Sequence, residues 1–443
     1  MTEKRNLSIV SILFFGLYII VPSYLALEIS SSIPLLTASR LLIAAMIFYC
    51  CYKKNWRVSF RITSDSKWRI ALILYFGLML LANLFYITKT GEALKEIFIL
   101  IFEELLVVWV ITQVITSREK LLKALYIMIW ACGIVAAIAI CGSLSGTNLF
   151  YYLKTVKREM LMSSYVRLGI VRAEAGFGHP VYYGAYCAVM VPVIMYFIEH
   201  DKKRRKIAMG ILLLDLGALV LSNSRGSMVA LILMVGYMFL TKKKRTLRPY
   251  VLPIVAAVAL GMAALLLSSS IRTYVMNIIQ SLINIFSSSG KEIENYGTNA
   301  AGMSSRFLQL SGLLWTIQQN ALFGLGANAH IRGVLYYLNV SGKWYASNTI
   351  DIGYLGIFFQ YGLIGTIAHG ILFLCILGTV LRKKMVSTEL GKMFQYVFFT
   401  YFVCMLAMSG VHKLMWMMIG LLISYVNILK AESKAKQTGD IKI

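Results

Sequence analysis

The sequence predicts an all-α, polytopic integral membrane protein, and three observations carry that prediction. The residues are 59% hydrophobic and only 14% charged, with a mean hydropathy of +0.73. Apolar windows of roughly 20 residues recur along the chain, each long enough at ~1.5 Å per residue to cross a hydrocarbon core of ~30 Å. The basic residues gather in short turns between these windows, where they fix orientation. A net charge of +25 over 443 residues would suggest a nucleic-acid partner for a soluble chain, but charge confined to turns between apolar spans argues against one.

The length criterion gives about twelve spans, at 7–27, 33–52, 69–88, 93–115, 121–143, 180–199, 206–222, 226–241, 249–270, 351–381, 393–410 and 413–429. The basic turns test that count. Lys4 and Arg5, Lys53 to Arg61, Arg118 with Lys120, Lys202 to Lys206, Lys242 to Arg245 and Arg382 to Lys384 all fall on one side, as does the tail from Lys430. By the positive-inside rule that side is cytoplasmic, with both termini inside. The first apolar run is long for a signal-peptide core and lacks a small-x-small cleavage site, so it reads as a retained helix. The seven cysteines lie in apolar runs without metal-ligand spacing or a pairing pattern, and read as small buried residues.

The whole chain, 1–443, reads as one membrane domain with two longer segments on the outer side. The first is 144–179, ending in RAEAGFGHP; the second, 271–350, is the largest hydrophilic piece. Within it, IRTYVMNIIQSLINIF and SSRFLQLSGLLWTIQQN show helical spacing of apolar residues and suit amphipathic helices at the membrane surface. The polar SSSGKEIENYGTNAAG between them reads as a mobile flap. No internal repeat is visible, which gives little support to a duplicated transporter.

The fourth span carries Glu92, Lys95, Glu96, Glu103 and Glu104. Ionised carboxylates inside an apolar run are costly unless paired or hydrated. Two readings follow: a structural pair with an intramembrane arginine such as Arg40, or a part in an active cavity.

The outer side collects Arg167, Arg172, His179, Arg225, Arg306, His330, Arg332, Lys343 and Asp351. Phosphate-binding loops of the Walker type, HExxH and G-x-S-x-G elbows are absent from the sequence, and its histidines and cysteines lack metal-site spacing. What remains is a cationic cluster with a carboxylate at a membrane surface. Arginine suits a diphosphate because its planar donors hold phosphate oxygens in pairs and its charge is fixed at biological pH. The implied substrate class is a lipid-linked phosphate. Each residue also has a structural alternative: Arg225 capping the junction of two spans, Arg172 anchoring to headgroups, His179 opening the helix after it, Arg306 solvated on an amphipathic helix, Asp351 capping the helix that follows.

These stretches resemble the O-antigen polymerase and ligase family of bacterial envelopes. RAEAGFGHP, NSRGS, SSRF followed by LWTIQQNALFGLGAN, and NTIDIGYLGIFFQYGLIG occur in that order over roughly residues 170–370. The resemblance implies transfer of a glycan from undecaprenyl diphosphate to an acceptor on the outer side of the bacterial plasma membrane. It maps the diphosphate onto Arg172, Arg225 and Arg306; the reading built on it has Asp351 or His179 accept the proton of the attacking sugar hydroxyl, and expects neither metal nor cofactor. The expected partners are the lipid-linked donor and acceptor, the bilayer, a flippase and a chain-length regulator. In the ligase branch a histidine opens the pattern HN-x-YL before GLIG. Counting back from Gly362 puts Asp351 at that position, while Tyr354 and Leu355 keep the register. The missing histidine favours the polymerase branch, whose acceptor is another lipid-linked repeat unit; His330 is the alternative histidine. The competing readings are a ligase with a non-repeat acceptor and a transporter or flippase of lipid-linked oligosaccharide, which would need a polar path through the midplane.

Overall fold

A computed structural model describes residues 7–28, 34–57, 59–156, 165–167, 169–241, 304–338 and 342–437, with five helical positions between 273 and 280. The span expected at 249–270, the turns at Lys4–Arg5 and Lys242–Arg245, the flap and most of the amphipathic segment at 271–286 lie outside the described residues.

Among the described residues, six helices are long and apolar enough to cross a membrane: α3 (Ser66–Leu84), α4 (Gly91–Val114), α5 (Arg118–Leu144), α6 (Pro180–His200), α11 (Gly353–Val380) and α14 (Lys413–Gln437). Between them run α7 (Arg205–Ser222), α8 (Arg225–Thr241), α9 (Ser304–Gln309), α10 (Ser311–Asn320), the short α12 (Lys383–Val386) and α13 (Glu389–Cys404), preceded in the chain by α1 (Ile9–Leu17) and α2 (Ala38–Lys53). The expected first span is a correction. Its helix has nine residues, about 14 Å at ~1.5 Å per residue, and stops before Pro22; Ala26–Leu27 then pairs with Leu36–Thr37 as an antiparallel hairpin. The expected single helix at SSRFLQLSGLLWTIQQN is two helices broken at Leu310.

Burial separates centre from rim. The most apolar windows of α6 and α14 are 83% and 78% buried, against 39% for α3, so these two helices form the axis of the bundle. The outer helices expose Ile73, Ile134, Leu213, Ile232 and Leu374 on faces suited to lipid. Local chemistry sets the helix starts: Asp65 accepts from the N–H groups of Lys67 and Trp68, Ser117 from Lys120, and Pro180 occupies the first turn of α6, where its missing N–H costs nothing.

Contacts tie the basic turns together at one end of the bundle. Asp65 meets Lys430 at 2.9 Å and Arg382 at 3.4 Å, Lys54 reaches Gln113, and Gln113 donates to the Arg61 carbonyl. The beginnings of α6, α8 and α11 lie at the opposite end.

Two local departures from the α-helix shape that opposite half. In α4, residues Leu100–Leu105 form a π-helical turn. Such turns are rare and tend to sit at functional places. Here the turn aims Glu103 and Glu104 at different neighbours. In α11, Gly362 breaks the helix with φ 59°, a left-handed conformation that favours glycine. The break admits the loop after α10: Leu363 donates to the Ala321 carbonyl, and Leu325 and Gly326 donate to those of Phe359 and Gln360. A Cβ on Gly362 would stand 2.4 Å from the Gly324 nitrogen, so the glycines of GLGAN and GLIG interlock by direct backbone contact.

Candidate functional site: a cationic cavity

Four stretches distant in sequence meet around a cavity of about 560 Å³: the segment from Tyr165 to Val181, the turn Ser224 to Gly226, the residues Arg306 and Gln309 of α9, and the run Tyr345 to Asp351. Arg172, His179, Arg225, Arg306 and Asp351 all line it, joined by Arg167, Tyr165 and Tyr337.

The turn carrying Arg225 is held from behind. Asn223 adopts a left-handed conformation with φ 48°, ending α7 so that α8 can begin at Arg225. Arg172 is buried and donates through Nε to the Ser222 carbonyl at 2.8 Å and through an η nitrogen to that of Asn223 at 3.3 Å; Arg167 donates to the same Asn223 carbonyl at 3.3 Å. Two cations thus sit at the negative end of the α7 dipole. Gly226 lets the start of α8 approach the 405–408 turn, since a Cβ there would lie 2.1 Å from that of Ala407.

Arg225 itself opens α8. A cation at a helix N-terminus opposes the dipole and adds no stability there, whereas unpaired N–H groups and a guanidinium together suit an anion.

Arg306 lies one turn before Gln309 on α9. Burial lowers its pKa, Asp351 opposes that shift, and neighbouring Arg225 adds to it. Asp351 is locked reciprocally to Gln309: Gln309 Nε2 donates to Oδ2 at 2.7 Å, and the Asp351 N–H donates to Gln309 Oε1 at 3.0 Å. Its Oδ1 accepts no hydrogen bond among the described residues.

His179 caps α6. Its Nδ1 accepts from the Val181 N–H at 3.1 Å, which puts the proton of the neutral ring on Nε2. Burial, Arg172 and Arg167 push its pKa down to about 4, so the ring is neutral at biological pH and presents a donor to its surroundings. Tyr165 meets it edge-on with ring centroids 4.7 Å apart.

His330, the alternative histidine, stands apart from the cationic cavity. It lines a different cavity, beneath the Asn328–Ile331 turn, and is not brought to Asp351. Arg332 spends its donors on the carbonyls of Ala327 and Leu325. Of the carboxylates in α4, Glu103 takes the structural reading: Arg40 meets its Oε1 at 2.6 Å. Gln309 was not singled out by the sequence; its i+3 spacing from Arg306 on an amphipathic helix was the available signal.

The fold and cavity define a helical membrane protein with a ligand-sized, arginine-rich cavity at the end of the bundle opposite its basic turns. Residues 208–370 match the family model described as O-Antigen ligase, a stretch holding Arg225, Arg306 and Asp351 but neither Arg172 nor His179. The match implies membrane glycan processing of the O-antigen ligase or polymerase type. No curated protein matches the chain.

Proposed function

We propose that the protein polymerises undecaprenyl-diphosphate-linked oligosaccharide repeat units of a bacterial surface polysaccharide, on the outer side of the plasma membrane and with both termini inside. The observation supporting this reading is the convergence of Arg172, Arg225, Arg306 and Asp351 on one cavity from four separate stretches of chain. Arg225 and Arg306 hold the donor diphosphate, and Arg172 positions Arg225 through the carbonyls it binds. The acceptor hydroxyl attacks the anomeric carbon of the donor sugar. The bond from that carbon to the diphosphate oxygen breaks, and its electron pair leaves with the diphosphate, where the arginine charge stabilises it. The hydroxyl proton passes to Asp351 through Oδ1 while Gln309 fixes the other oxygen. His179, with its proton on Nε2, serves as a donor near the anion rather than as the base.

The polymerase reading rests on Asp351 at the position where the ligase pattern has histidine. Deleting the gene should leave single lipid-linked repeats and no long chains, seen by gel analysis of extracted glycolipids. Long lipid-linked polymer that merely fails to be attached would instead support the ligase reading. The orientation predicts that a cysteine at exposed Tyr345 reacts with an impermeant maleimide on intact cells while one at Lys383 does not.

A further inference from the structure

A second cavity, of about 400 Å³, lies beside the first at the same end of the bundle, roofed by Asn328 to Ile331. The two share a partition. In the first turn of α6, His179 and Val181 face the cationic cavity and Tyr182 the second; in the 405–412 turn, Ala407 faces the first and Ser409 the second. Tyr182 and Ser409 are hydrogen-bonded to each other across that partition.

The chemistry of the second cavity is opposite to that of the first. Its walls hold two carboxylates, Glu96 and Glu104, and neither lysine nor arginine. Glu103 is paired with Arg40, whereas Glu96 and Glu104 meet neutral donors: Tyr361 at 3.4 Å from Glu96, and Tyr75 at 3.2 Å together with Trp416 at Glu104. Carboxylates within an apolar segment and without a cation are expensive, and are retained where they meet a ligand or water. The buried Nδ1 of His330 has no hydrogen-bond partner among the described residues. Asn328 is fixed by Gln360, whose Oε1 accepts from its N–H at 2.9 Å, and by Glu92, whose carboxylate accepts from its side chain at 2.9 Å. The volume falls within the ~300–1,000 Å³ of small-ligand sites.

A diphosphate would find neither lysine nor arginine in these walls. Fixed carboxylates, carboxamides and tyrosine hydroxyls instead match the alternating donors and acceptors of a sugar ring. We propose that this cavity binds the terminal sugar of the acceptor glycan, a neutral or amino sugar, and presents its hydroxyl toward the cationic cavity across the Tyr182–Ser409 partition. This rests on the transferase reading above, with the donor held in a cavity lined by arginines and the acceptor in a neighbouring one lined by carboxyls, carboxamides and hydroxyls.

The probe is the free repeat-unit oligosaccharide released by mild acid from the strain's own lipid-linked precursor, which lacks diphosphate. Saturation-transfer NMR on the full-length protein in nanodiscs should show saturable binding. The Glu96→Gln/Glu104→Gln variant should bind roughly tenfold or more weakly, as should Asn328→Ala, while Arg225→Lys binds within about twofold of the parent. If the carboxamide pair fails to fold, judged by its melting temperature, Asn328→Ala and Tyr361→Phe carry the test. The proposal is overturned by absence of saturable binding to the parent, by loss in Arg225→Lys with retention in the Glu and Asn variants, or by tighter binding of a uronic-acid oligosaccharide. Persistence of long polymer in the deletion strain would remove the transferase reading while leaving the binding result standing.

Discussion

Glu103 and Glu104 are neighbours in sequence, yet one is half of an ion pair and the other lines a polar cavity. The same contrast separates the two cavities as wholes. One gathers four arginines near a single carboxylate; the other gathers two carboxyl groups with neither lysine nor arginine in its walls. Arg40 and Glu103 pair with each other and serve the fold. Consecutive positions on a helix point ~100° apart, so two neighbouring carboxyls within the π turn of α4 reach different surroundings.

The comparison breaks most directly at Glu103. Glu103→Gln leaves the mostly buried Arg40 without its partner, and removal of one member of such a pair costs roughly 3–5 kcal/mol. The melting temperature of the purified protein should fall clearly, whereas Glu96→Gln, which has no cation to strand, should leave it nearly unchanged. Equal losses in both variants would make the second cavity a structural feature.

Arg225→Lys comes next in size. It keeps the charge but loses the planar pair of donors, and a charge-assisted contact of that kind contributes ~1.5–3 kcal/mol. Polymer formation should drop roughly tenfold to a hundredfold with normal insertion, while Arg382→Lys at the opposite end leaves chain length alone. Near-normal polymer in well-expressed Arg225→Lys would reduce Arg225 to a turn residue.

The smallest effect belongs to His179. Asparagine is a good helix N-cap, so His179→Asn should preserve the start of α6 and change the rate by no more than about threefold. A loss as deep as that of Arg225→Lys would make His179 the base in place of Asp351. The histidine does predict a pH response of stability. Its folded pKa of about 4, and that of His412, held down to about 3 by burial and Lys413, lie below the ordinary 6.5. The unfolded chain therefore binds more protons between those values, and stability falls as pH drops below 6.5. A melting temperature that declines from pH 7 to pH 5, less steeply in His179→Asn, is the expected result.

Much of the cationic cavity was legible in the sequence. Arginines at the ends of apolar runs, on the side lacking basic turns, stand out because such placement opposes the usual charge bias. The helix positions were legible for the same reason that hydropathy works at all: in lipid each span must satisfy its own backbone, so an apolar window is already a helix. The nine-residue α1 escaped this logic, since an apolar run ended by Pro22 and turned into a hairpin has the composition of a span without its geometry. Gln309 escaped because a neutral amide carries no charge anomaly.

The sequence by itself determined composition, the helical windows, the polarity of their ends and the arginines that stand on the side lacking basic turns. Those are properties of single segments against a fixed solvent. Only the tertiary structure decided which charges are spent. Arg172 goes to the carbonyls of Ser222 and Asn223, Glu103 to Arg40, and His330 beneath the loop that Gly324 and Gly362 bring together. The physical reason is that pairing depends on distances of a few ångströms between segments tens or hundreds of residues apart. Spacing along a chain does not encode such distances until a broken helix, a π turn and a left-handed cap set them.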